Sequence, residues 1–165
     1  MNSMRAAAFV AAVFCILSSM SCMEAIEPTP ESTLLSIDPA DGSVRGTQSD
    51  SMTRFLMPLV IRNKGSRAIY LDLGYRRTEK LIDQKWEVAT ETANGNFASI
   101  RLLNPGRTVT IDLVVVFRRG SPPAAPLLEH IRGLYRARLR FSYTGNGTDL
   151  LPVEDSYSQP FAVTE

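Results

Sequence analysis

Three arginines stand at alternate positions in GLYRARLRFSY, residues 133–143: Arg136, Arg138 and Arg140. Alternate side chains of an extended chain share a face, so the three would line one side of a strand over roughly 13–14 Å at the usual rise per residue. A guanidinium row of that kind offers an anion-binding face to an acidic polysaccharide, lipid head groups or an acidic partner. Its commoner fate is a solvated outer face paired with carboxylates on neighbouring strands, such as Asp72 or Glu87. Trp86, the single tryptophan, has Tyr70, Tyr75 and Phe97 nearby in sequence. Such a group can form a platform on which sugar rings stack, although a lone tryptophan more often packs into a core.

Other chemistries find few residues. The one histidine, His130, lies in LLEHIRG, and no serine stands in a G-x-S-x-G context. The two cysteines are Cys15 and Cys22, so a closed zinc site, which needs four ligands, has no ligand set of this type. DPADG at 38–42 carries two aspartates, but a calcium loop needs further oxygens at fixed intervals, and a structural turn is expected instead. Glu154 and Asp155 are adjacent, which on a strand would send them to opposite sides. No catalytic residue, metal site or cofactor is expected. The chain carries 18 basic and 17 acidic residues, without the basic excess of a nucleic-acid binder.

The first residues read as an export signal. Arg5 precedes the apolar run AAAFVAAVFCIL, residues 6–17, and the small polar SSMS follows. The run falls short of the roughly 20 residues that a spanning helix needs. Cys15 would leave with this leader, making Cys22 the one remaining thiol. A lone exposed thiol is a liability in an oxidising compartment. The segment ILSSMSC resembles a bacterial lipoprotein signal, with Ser19 where that family usually has an aliphatic residue. The resemblance implies cleavage before Cys22, acylation of its thiol and a membrane anchor; an unlipidated periplasmic or secreted protein is the alternative. MEAIEPTPES, with two prolines and three glutamates, then reads as an extended tether. Loss of Arg5 with the leader would leave 17 basic against 17 acidic residues.

Short strands separated by turn residues fill the rest. TLLSI (33–37) stops at DPADGS; RFLMPLVIRNKGS (54–66) and RAIYLDLGY (67–75) are expected to face each other across NKGS. Pro58 inside the first argues for an edge position or a bulge. Asp83-Gln84 is expected to turn a hairpin with Trp86 and Val88 on one face, a short helix through 77–84 being the competing reading. NPG at 104–106 is a turn signal. Val109, Ile111, Leu113, Val115 and Phe117 share one face of the following strand, and Tyr135, Ala137, Leu139, Phe141 and Tyr143 share the face opposite the arginines. Seven or eight strands without a long helix indicate an all-β fold, one antiparallel β-sandwich.

The order VIRNKGSRAIYLDL, KWEVA, LNPGRTVTIDLVV, GLYRARLRFSY, SQPFAVT resembles the immunoglobulin-like domains of bacterial exported proteins. That resemblance spans about residues 50–164 and puts Tyr135 at the tyrosine corner, its hydroxyl closing onto the backbone. Ala137 stands where such domains have their second cysteine, so no disulfide pin is expected. The organisation expected is a signal peptide at 1–21, Cys22 and its tether at 22–32, and one immunoglobulin-like domain at 33–165. The expected role is non-catalytic binding or structure at the cell envelope; the alternative is a soluble periplasmic or secreted carbohydrate- or polyanion-binding module, and a hydrolase with a site assembled from loops is the third reading. In the first reading the partners would be a membrane reached through the lipid and an envelope protein, with polysaccharide as a second choice and no nucleic acid.

Overall fold

The structure, a computed structural model, describes residues 32–48, 52–93, 99–118 and 131–164. Cys22 with its leader, the tether up to residue 31, Phe97 and His130 lie outside these residues.

Ten strands are present among them: β1 (Leu35–Pro39), β2 (Ser43–Arg45), β3 (Thr47–Gln48), β4 (Met52–Asn63), β5 (Ile69–Ile82), β6 (Lys85–Ala93), β7 (Ile100–Leu103), β8 (Thr108–Arg118), β9 (Gly133–Ser142) and β10 (Phe161–Thr164). A 3₁₀ turn, Val153–Ser156, holds Glu154 and Asp155, which are therefore not on a strand. In the first sheet β8 runs along the whole of β4, with β1 and β3 on the other side of β4. The second sheet has the order β2-β10-β9-β5-β6, and β7 continues the β6 side of β5. The expected sheets were antiparallel throughout; β2 and β10 in fact pair in parallel. The chain changes sheet between β2 and β3 at Gly46, whose N–H donates to the Thr164 carbonyl at 2.9 Å.

Alternation explains the core. β8 buries Val109, Ile111, Leu113 and Val115, and β9 buries Tyr135, Ala137, Leu139 and Phe141. They meet Phe55, Met57, Leu59 and Ile61 of β4 and Ile69 and Leu71 of β5 in one cluster. Phe55 meets Tyr135 and Phe161 edge-on, at centroid distances of 5.2 and 6.0 Å. The Tyr135 hydroxyl donates to the Ile131 carbonyl at 2.6 Å, tying the approach to β9 into the core. Burial pushes this phenol up to about 12, because ionisation inside an apolar cluster is unfavourable.

Two expectations about β4 are overturned. NKGS does not make a hairpin: β4 lies in the first sheet and β5 in the second. The buried Asn63 builds a crossover instead. Its Nδ2 donates to the Arg67 and Leu103 carbonyls at 2.8 and 3.0 Å, and its Oδ1 accepts the Gly65 N–H at 3.0 Å. Nor is Pro58 on an edge strand, since β4 has neighbours on both sides. The Pro58 carbonyl accepts the Ala40 N–H at 2.9 Å, just past the end of β1. A residue's N and O point the same way across an antiparallel ladder, so its missing donor faces the end of β1 and leaves the β4–β8 ladder intact.

The turns at 83–84 and 104–106 form as their residue types suggest. Asp83 and Gln84 adopt φ of 46° and 64° between β5 and β6, so both leave the usual L-residue region. Gly106 has φ of 72°, and the Arg107 N–H donates to the Asn104 carbonyl at 3.1 Å, which makes NPG a type II turn.

Candidate binding face: arginines, carboxylates and aromatic rings

β9 presents Arg136, Arg138 and Arg140 on the outer face of the second sheet, each half-buried. Register sets their neighbours. Glu79 of β5 lies opposite Arg136, Arg77 opposite Arg138, and Asp72 opposite Arg140. A bulge between Asp72 and Arg76 adds the residues that bring Tyr75 in alongside Arg140. Asp72 closes the bulge: its Oδ1 accepts the Gly74 N–H at 2.8 Å while its Oδ2 accepts Arg140 Nε at 2.8 Å and the Arg140 Nη2.

Glu79, only 2% exposed, takes two arginines. Arg136 Nε donates to its Oε2 at 2.8 Å, and Arg136 Nη2 is ion-paired with the same oxygen at 2.7 Å. Arg77 Nε is 2.9 Å from Oε1, an ion pair whose angle does not make a hydrogen bond. A buried carboxylate holding a forked guanidinium is a charge-assisted pair of the stronger kind. The rings complete the array. The Arg136 guanidinium sits 4.0 Å from the Tyr157 ring centre and 4.6 Å from that of Trp86, and Arg140 sits 5.0 Å from that of Tyr75. Cation–π attraction is expected at these separations. The Tyr75 hydroxyl donates to Glu91 Oε1 at 3.1 Å. Burial pushes this phenol up, the Arg138 charge pulls against the rise, and the hydrogen bond to Glu91 adds to it.

Arg138 differs from its neighbours. Its side chain makes no ion pair and no hydrogen bond among the described residues; its Nε is covered without an acceptor, and the Tyr157 ring centre lies 5.9 Å away. Trp86 Nε1 on the same face is also buried without an acceptor.

The structure thus brings Trp86 together with Arg136, Arg138 and Arg140, but not as expected in detail. Trp86 is half-buried on the outer face rather than packed into the core, because β6 places it in register with Leu81 beside the arginine row. Asp72 is an arginine partner as anticipated; Glu79 takes the place offered to Glu87, which is exposed and pairs with Lys80 in the ladder. Tyr157 escapes sequence reasoning, since it follows the 3₁₀ turn and carries no strand periodicity. Glu79 does carry a sequence signal, since it stands two residues from Arg77 on the expected hairpin strand and so shares its face.

Among the described residues no group of three or more His, Cys, Asp or Glu side chains is arranged to hold a metal. None of their helices is long and apolar enough to cross a membrane.

No family model matches the chain, and no curated protein matches it. Solved structures give low-identity similarities. The structural-genomics target SoR45 is 12% identical, over 78% of this chain and 81% of that one, with a TM-score of 0.42. A Bordetella pertussis protein described as ApaA is 14% identical over 82% and 99%, with a TM-score of 0.44. An alkylpurine DNA glycosylase of Pseudomonas fluorescens is 8% identical over 82% of this chain and 32% of its own, with a TM-score of 0.40.

Proposed function

We propose that this chain is an exported, lipid-anchored protein of the bacterial cell envelope carrying one non-catalytic immunoglobulin-like β-sandwich that presents a binding face to a protein partner. Cys22 carries the lipid, residues 23–32 give reach, and the domain from 33 to 165 supplies the face. The observation that carries the binding role is the outer face of the β9 sheet, where Arg136 and Arg140 lie against rings and pair with carboxylates while Arg138, between them, has no carboxylate partner among the described residues. The leader and Cys22 support the location. The immunoglobulin-like reading is supported by the sheet order, by the crossing of β2 to pair with β10, and by the bond from the Tyr135 hydroxyl to the Ile131 carbonyl.

A photo-reactive apolar residue in place of the exposed Val88 on this face or, as a control, of Arg62 on the opposite sheet tests this in native membranes while Arg138 stays in place. One discrete cross-linked species from position 88, absent from position 62 and lost with Cys22→Ser, is the expected outcome. Recovery of unlipidated protein from the soluble fraction, with no site-specific product, would overturn the proposal.

A further inference from the structure

We infer that Arg138, with the surface running from it to Trp86 and Val88, takes one carboxylate of an extended protein segment that also carries an aliphatic side chain. This rests on the binding role proposed above and specifies its ligand. The residual charge sets the valence. Among the described residues, Arg77, Arg136, Arg138 and Arg140 share this face with the carboxylates of Asp72, Glu79 and Glu91, the last in register with Arg77, so one positive charge is left over, at Arg138. A monoanion neutralises it; a polyanion would meet the three resident carboxylates.

The leftover hydrogen-bonding groups agree. Arg138 is half-buried, its Nε is covered without an acceptor, and Trp86 Nε1 is likewise covered. An external carboxylate therefore meets the guanidinium through its Nη groups. A guanidinium without a partner can hold a carboxylate through two parallel N–H bonds.

The surroundings select the carrier. Sugar recognition uses open ring faces, and here guanidinium groups already cover a face of Trp86, Tyr157 and Tyr75. The exposed aliphatic group of Val88 stands on β6 of the same face. Val88 is in register with Glu79, and Glu79 with Arg136. Val88 is therefore two strands across and two residues along from Arg138, roughly 12 Å at ordinary strand spacings. Residues i and i+4 of an extended peptide share a face and are separated by roughly 13–14 Å, so one aliphatic and one acidic residue at that spacing fit both places.

The fluorescence of Trp86, the one tryptophan in the chain, reports on this surface. The full chain in detergent is titrated at constant ionic strength with the blocked heptapeptide SVSSSES and its glutamine counterpart SVSSSQS. Saturable binding is expected for the first, at least tenfold weaker for the second. Arg138→Gln should weaken binding of the acidic peptide at least tenfold, and Arg62→Gln should leave it unchanged. Arg138→Lys, which keeps the charge but loses the fork, should weaken it severalfold; it serves as the test if Arg138→Gln does not melt cooperatively. Equal binding of the two peptides, indifference to both Arg138 variants, or saturation by polygalacturonate or phosphate alone would overturn the inference. So would binding that appears only once the acidic tether, residues 23–31, is removed, since the tether would then be the occupant. Failure of membrane location leaves this titration unaffected, so the two proposals fail separately.

Discussion

The two faces of β9 differ in how they satisfy their side chains. Inward, Tyr135, Ala137, Leu139 and Phe141 are each no more than 1% exposed, and the one polar group among them, the Tyr135 hydroxyl, has its acceptor. Outward, Arg136 and Arg140 are neutralised by buried carboxylates, while Arg138 between them is not. The inner face completes every interaction within the chain. Among the described residues the outer face leaves Arg138 without a carboxylate, and the Nε atoms of Arg77 and Arg138 and Trp86 Nε1 without acceptors, which is why the proposed partner is placed there. A surface arginine row kept solely for solubility would have no need of carboxylates as deeply buried as Asp72 and Glu79.

The contrast is broken most severely in the core. Phe55→Ala should lose about 3–5 kcal/mol in urea unfolding, since it empties the space between Tyr135 and Phe161. Trp86→Ala should cost clearly less, and an equal cost would mean that the outer face is structural. Asp72→Ala removes the partner of Arg140 and of the Gly74 N–H together, and should cost about 2–3 kcal/mol, below the full buried-pair penalty because Arg140 is partly exposed.

Tyr135→Phe should cost about 1–2 kcal/mol by leaving the Ile131 carbonyl without its donor. It also has a pH signature. The phenol's value is raised to about 12 in the fold from 10.0, so its contribution is fully present below pH 10 and is lost as pH rises through about 12. The native protein should lose stability over that alkaline window, and Tyr135→Phe should lose less there. Arg138→Gln should stay within about 0.5 kcal/mol of the native stability, as expected for a surface change that breaks no ion pair. A larger loss would mean that Arg138 is structural, which sharpens the comparison against the binding role. The smallest effect is expected at the hairpin: Gln84→Gly relieves a positive φ and should add about 0.5 kcal/mol, read as a small rise in Tm.

Much of this was written in local patterns. Period-two alternation determined which side chains of β8 and β9 enter the core, and NPG and Asp83-Gln84 determined their turns, because strand faces and turn dihedrals depend on neighbours in sequence. The arginine row was legible for the same reason. Its electrostatics were not: whether each guanidinium meets Glu79, Asp72 or nothing depends on β5 and β9 pairing from 57 or more residues apart, with a bulge that shifts the register. Asn63-Lys-Gly read locally as a hairpin, yet its side chain bonds to Leu103, 40 residues away, and carries the chain to the other sheet. Trp86 looked like a core residue by type and was placed outside by the register of β6. Sequence alone determined the longer strands, their faces and the residues able to bind an anion, because these follow from periodicity and chemical type, whereas the short β2 and β3 carry no such periodicity. Only the tertiary structure decided which charges cancel and which one is left, because cancellation depends on contacts between segments that the chain brings together only on folding.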